Sequence, residues 1–189
     1  MNEKPLSRAY RRLRRRIQPE DTFIDRIPLG DVTIDEIRRR AGPYPTETLA
    51  GQRSALVLFG AAFLGVNDAI HLERAGISEV SVVDVDGPRL DIMRALYPNT
   101  WEFTTEDAFT FAERQCDAGV RYDLVSADPF TGLMPRCREF LPTFLRLARR
   151  TVVLGVEHGL SLAPSAGWHS TTVERSDIAD WIVLEAARG

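Results

Sequence analysis

The chain has 189 residues, 44% of them hydrophobic and 27% charged, which suits one globular domain with a sizeable core. No apolar run reaches the ~20 residues of a membrane-spanning helix, and no apolar stretch of the kind a secretion signal needs follows the basic N-terminus, so a cytoplasmic protein without membrane contact is expected. The net charge of −3 conceals a division: residues 1–17 carry seven basic side chains against Glu3, net +6, and the remainder sums to −9.

Residues 1–52 read as a helical, basic extension placed before a domain at 53–189. Leu6, Tyr10, Leu13 and Ile17 recur at spacings of four, three and four, which predicts a helix over 5–17 with one apolar stripe. Its arginine-rich face has two readings. One is a solvated helix surface; the other is an arm for nucleic acid. The first is preferred, because a nucleic-acid face usually offers aromatic side chains as well as charge. A second helix is predicted at 32–40 with Asp31 as its N-cap, and Gly42-Pro43-Tyr44-Pro45 ends it.

From residue 54 onward, strands and helices alternate. Strands are predicted at 55–59, 79–84, 101–104, 122–127 and 151–156, and helices at 65–75, 88–96, 107–116 and 136–149. Residues 158–167 read as loop. Two short strands follow, 170–174 and 181–185, joined by Arg175-Ser176-Asp177. Five strands alternating with four helices predict a parallel, doubly wound α/β sheet of the Rossmann-like kind. The closing pair predicts an antiparallel hairpin at one edge, for about seven strands in all.

Four segments at the carboxyl ends of these strands can carry chemistry, and that edge is where open parallel sheets bind ligands. The first is the turn Phe59-Gly60-Ala61-Ala62, where a glycine lets backbone approach a ligand and a helix start offers free N–H groups. Phe63 and Leu64 follow it, bulky where a pocket needs space. The second is Asp84-Val85-Asp86. Asp84 lies 24 residues after Gly60, the layout in which an acid accepts both hydroxyls of a ribose. The third is Asp107-Ala108, placed to meet an adenine ring or simply to open a helix. The fourth is Asp128-Pro129-Phe130, an acid delivered by an apolar strand. Asp128 could hold or deprotonate an amine, Pro129 would fix the turn, and Phe130 could stack on a planar acceptor.

Cys116 and Cys137 have no CxxC spacing, and His71, His158 and His169 show no metal or triad pattern, so no metal site is expected. His71 reads as structural, and His158 as a residue at the mouth of the site.

Residues 54–157 resemble the core of the class I S-adenosylmethionine-dependent methyltransferases, and within them the spermidine synthase branch. Phe59-Gly60-Ala61-Ala62-Phe63-Leu64-Gly65 falls at that branch's glycine-rich turn, in degenerate form. Val83-Asp84-Val85-Asp86-Gly87, Glu106-Asp107-Ala108-Phe109 and the strand ending on Asp128 resemble its later motifs. Asp128-Pro129-Phe130 also resembles the D-P-P-Y/F motif of methyltransferases that modify amino groups in nucleic acids. The resemblance implies a class I methyltransferase fold and S-adenosylmethionine, or its decarboxylated form, as cofactor. It implies that Phe59, Gly60, Ala61, Ala62, Asp84, Val85, Asp107, Ala108 and Asp128 bind that cofactor, and that Asp128, Pro129 and Phe130 serve the acceptor. A small-molecule acceptor is the first expectation and a nucleic acid the second; a homo-oligomer stays open. Two other functions also stay open, aminopropyl transfer and a non-catalytic scaffold.

Overall fold

The computed structural model describes residues 32–129, 134–160, 162, 166–176 and 179–187. The predicted helix at 5–17 and the predicted cap Asp31 lie outside them. Seven strands form one sheet: β1 (Ser54–Leu58), β2 (Glu79–Asp84), β3 (Glu102–Thr105), β4 (Tyr122–Ala127), β5 (Ala148–Glu157), β6 (Trp168–Ser176) and β7 (Ala179–Ala186). Their order is β3-β2-β1-β4-β5-β7-β6. The first five strands run parallel, and β7 pairs antiparallel with both β5 and β6. This is the doubly wound sheet with a terminal hairpin that the alternating pattern predicts.

Among the described residues, five α-helices flank the sheet: α1 (Ile34–Arg40), α2 (Ala69–Arg74), α3 (Gly87–Leu96), α4 (Ala108–Asp117) and α5 (Met134–Leu147). None is long and apolar enough to cross a membrane. The side-chain period of two divides the core between the sheet's faces. Ala55 and Val57 of β1 face α1, α2 and α3, whereas Leu56 and Leu58 face α4 and α5. All five β1 residues are buried, as expected for a central parallel strand covered on both sides.

Several element boundaries differ from the sequence reading, each for a local reason. Thr33 caps α1: its Oγ1 accepts from the Glu36 N–H at 3.3 Å, while the Glu36 carboxylate accepts from the Thr33 N–H at 2.9 Å. That reciprocal pair is a capping box. The helix predicted from 65 begins at Ala69, because Gly65 takes φ +76° and Asp68 caps α2 by accepting from the Ala69 N–H. A single 3-10 turn, Ala62–Gly65, fills the gap. The last helix ends at Leu147, two residues early, because Ala148 already pairs with Tyr122 in the sheet. Arg175 is a strand residue, since β6 extends to Ser176.

The segment before β1 is packed onto the sheet. Val32, Ile37, Tyr44 and Leu49 are buried in the α1–α3 side of the core. Polar anchors hold it there. Trp181 Nε1 donates to the Pro43 carbonyl at 2.8 Å, and His71 Nε2 meets the Gly42 carbonyl at 2.7 Å. The Tyr44 ring stacks on His71 at 5.3 Å and meets Trp181 edge-on at 5.2 Å. His71 therefore has the structural role its place in the helix predicts, and burial lowers its pKa below the usual imidazole value.

Gly65 is required twice over. A side chain would meet the Ala69 Cβ at 2.5 Å, and the positive φ strains any residue with a Cβ. Gly65→Ala should destabilise the fold by about 2–4 kcal/mol in denaturant titrations. Gly76→Ala, with a similar φ but no atom within 4 Å, should cost only about 1–2 kcal/mol.

Candidate functional site

The connections leaving β1 and β4 diverge, β1 toward β2 and β4 toward β5. The crevice between their carboxyl ends is the switch point at which open α/β sheets place ligands. Asp84, Asp128 and the turn after β1 all stand at that edge.

The turn is strained and tightly packed. Phe59 has φ 63° and Leu64 φ 52°, both in the left-handed region that side chains disfavour. Gly60 has its hydrogen against the sheet: a Cβ there would lie 2.5 Å from Val82 Cγ1 and 2.9 Å from Val57 Cγ1. The missing side chain therefore allows close packing on β2. Leu64 is fully buried in the core and leaves the crevice clear. Of Ala62 and Phe63, only the backbone is described.

Asp84 ties the turn to the second strand. Its Oδ2 accepts from the Ala61 N–H at 3.0 Å, and its Oδ1 from the Asp86 N–H at 3.0 Å. Each oxygen keeps an acceptor position free. Val85 beside it is 69% exposed, so an apolar side chain stands open at the mouth. Asp86 caps α3 and pairs with Arg89.

Asp107 is the N-cap of α4, accepting from the Thr110 N–H at 3.0 Å. Ala108 and Phe109 turn inward and are buried. The Phe59 ring meets Phe109 edge-on at 5.4 Å, and Phe109 meets Phe140 at 4.7 Å. The Arg136 guanidinium lies 4.1 Å from the Phe109 ring centre and 3.6 Å from Asp107 Oδ1. An aromatic wall with a cation on it therefore borders the Asp84 side of the crevice.

Asp128 is the best-held acid of the set. Arg175 donates to both oxygens, at 2.8 Å to Oδ1 and 3.0 Å to Oδ2, and Asn67 Nδ2 adds a third bond to Oδ2 at 3.0 Å. Both ends of the ion pair are mostly buried. Gly155 on β5 makes the room, since a Cβ there would lie 2.1 Å from Asp128 Oδ1. Pro129 is buried, and Phe130 lies outside the described residues.

Asp68 sits beneath this pair and was not foreseen. Its Oδ1 accepts from the Ala69 N–H at 2.6 Å, while Oδ2 is buried with no direct hydrogen-bond partner. Burial, reinforced by the Asp128 charge, pushes its pKa up to about 7. Ser126 is next to it, accepting from the Tyr44 hydroxyl at 3.2 Å. His158 pairs with Asp180 at 3.1 Å, and the Gly159 N–H holds the Asp180 carboxyl below the usual range.

The structure thus gathers Phe59–Ala62, Asp84, Val85, Asp107, Ala108 and Asp128 along one edge. It adds Asn67, Asp68, Gly155 and Arg175, which the sequence reading passed over. One signal was present: Asn67-Asp68 interrupts an otherwise apolar helix start. Arg175 gave none, because its value depends on β6 folding back beside β7.

No protein-family model matches the chain, and no curated protein matches its sequence. Solved structures of similar fold include the Escherichia coli protein yhhF, provisionally assigned as a methyltransferase. It is 14% identical over 86% of this chain and 92% of that one, with a TM-score of 0.61. An rRNA methylase from Streptococcus thermophilus is 12% identical over 76% and 94%, with a TM-score of 0.54. The fold is that of the class I methyltransferases. Magnesium protoporphyrin IX methyltransferase from Synechocystis PCC 6803, solved with bound S-adenosylmethionine, is 16% identical over 82% and 78%, with a TM-score of 0.52. At these identities the likeness establishes the fold and nothing finer.

Two outcomes test the acid cluster. Asp68 holds a proton in the folded chain up to about pH 7 that the unfolded chain releases near 3.8, so stability falls as pH rises through that interval. Asp68→Asn should gain stability relative to the parent between pH 5 and pH 8, read from denaturant midpoints. Arg175→Ala, which strands the mostly buried Asp128 carboxylate, should cost about 3 kcal/mol, with much of that recovered in Arg175→Met combined with Asp128→Asn.

Proposed function

We propose that the chain is an S-adenosylmethionine-dependent methyltransferase whose acceptor is an amine. The observation that carries this is the placement of Asp84 and Asp128 on either side of β1 at the carboxyl edge of a class I methyltransferase fold. The residues present suit the cofactor. Asp84 has a free acceptor position on each oxygen for a pair of ribose hydroxyls, and exposed Val85 with the Phe59–Phe109 wall offers apolar cover for a base. Asp107 and Ala108 stand at the adenine end, and the Gly60–Ala62 backbone at the amino-acid end.

When bound, the cofactor supplies an electrophilic methyl group on sulfur. The chain's part is alignment, since in-line attack on such a methyl depends more on position than on acid–base strength. Asp128 would accept a hydrogen bond from the acceptor amine and fix the nitrogen's direction, with buried Pro129 stiffening the turn. The pair with Arg175 keeps that carboxylate aimed. It leaves one acceptor position, on Oδ1, for an incoming amine. Phe130 is assigned to stacking on the acceptor.

For the acceptor, a small molecule is the first reading. The second, a nucleic acid, draws support from the rRNA methylase among the similar structures and from the basic residues 1–17. The methyltransferases among those structures favour methyl over aminopropyl transfer, and the choice of cofactor form decides between them.

Calorimetric titration with S-adenosylmethionine, S-adenosylhomocysteine and the decarboxylated cofactor tests the proposal. Micromolar binding of the first two is expected. Asp84→Ala should weaken it about tenfold to a hundredfold, as for a lost hydrogen bond to a charged group. Absence of binding at millimolar ligand would overturn the enzyme reading, and preference for the decarboxylated form would redirect it to aminopropyl transfer.

A further inference from the structure

The opposite edge of the sheet carries a second concavity. It is an open groove of about 660 Å³ between the end of α4, the last turns of α5, and the starts of β5 and β6. It lies at the amino end of β4, roughly 20 Å of strand away from Asp128 at the other end. Its ten lining residues include Arg121, Arg146 and Arg149, the aromatic Trp168, and no acid.

The donors of this groove are underused. Trp101 and Trp181 give their indole N–H groups to backbone carbonyls, but among the described residues Trp168 Nε1 has no acceptor. Among the described residues, the exposed Arg146 side chain makes no ion pair or hydrogen bond. Arg149 stands 3.5 Å from Asp123 Oδ1, and the other oxygen of that acid accepts from the Arg53 and Ser54 N–H groups. Helix C-termini attract cations by themselves, and Arg121 serves that purpose by donating to the Ala148 carbonyl. Arg146 and Arg149 remain beyond that need. Val120, one of two large apolar side chains exposed among the described residues, also lines the groove.

Cations that can fork onto phosphate oxygens, next to a partly exposed indole face and an apolar patch, are the parts of a site for a phosphorylated planar ring. The volume suits such a ligand. We propose that this groove is a nucleotide site separate from the switch-point crevice, with the phosphate on Arg146 and Arg149 and the base on Trp168. The same chemistry comes from a free nucleotide or from an unpaired nucleotide within an RNA strand.

The test uses the full chain with uridine 5′-monophosphate and with a single-stranded oligouridylate, so that an adenine-binding crevice does not contribute. Binding is followed by tryptophan fluorescence, which reports on Trp168 because Trp101 and Trp181 are buried. Quenching that is weakened about tenfold or more by Arg146→Ala, lost in Trp168→Leu, and unchanged in Asp84→Ala is expected. Micromolar binding of the mononucleotide identifies a free nucleotide as the ligand. Binding of the oligonucleotide alone, falling steeply with salt, identifies a strand. No binding of either probe at millimolar mononucleotide and micromolar strand overturns the proposal. So does binding that Arg146→Ala and Trp168→Leu leave intact. Arg146 is on the surface, so its variant separates lost binding from lost folding.

Discussion

The bidentate pair between Asp128 and Arg175 is the contact on which the site depends. An acid at the end of β4 and a cation from β6 are 47 residues apart, and they meet only because β7 lies between β5 and β6 in the sheet. The Arg175 guanidinium also rests 4.5 Å from the Trp181 ring centre, and Trp181 in turn holds the Pro43 carbonyl. One chain of contacts thus joins the segment before β1, the hairpin and the crevice. The terminal antiparallel strands deliver a counter-charge to the switch point, in addition to covering a sheet edge.

Local environment sets the acids apart. Asp84 and Asp107 are held by backbone N–H groups and reach solvent. Asp128 is held by a guanidinium and an amide. Asp68, a few residues along the chain from the glycine turn, is enclosed without a cation of its own and so carries a proton under conditions where the others serve as acceptors. Four carboxylates of the same chemistry therefore stand in different surroundings along a single edge, and burial beside the Asp128 charge sets Asp68 apart.

Much of the architecture was legible from residue patterns alone. The apolar runs, the glycine and proline breaks and the closing strand pair foretell the sheet, because each rests on local periodicity. β4 is found at the residues expected, since Tyr122–Ala127 is buried at every position but Asp123. The candidate acids were legible because strand ends are visible in sequence. The partners of Asp128 were not: Asn67, Gly155 and Arg175 reach it through sheet pairing between distant strands, which no local pattern encodes. Gly60 shows a subtler shortfall. The glycine was noticed for its chain position, but its neighbour Val82, which makes it necessary, becomes apparent only when β2 lies beside β1.

The two thiols offer the chain a chemical handle. Cys137 is sealed in the core, and burial pushes its thiol up to about 12, so it is a poor nucleophile near neutral pH. Cys116 is half-exposed and lines the arginine groove. A maleimide or a fluorescent alkylating reagent would therefore attach at one place in the native protein, beside that groove and far from the crevice, without any engineered cysteine.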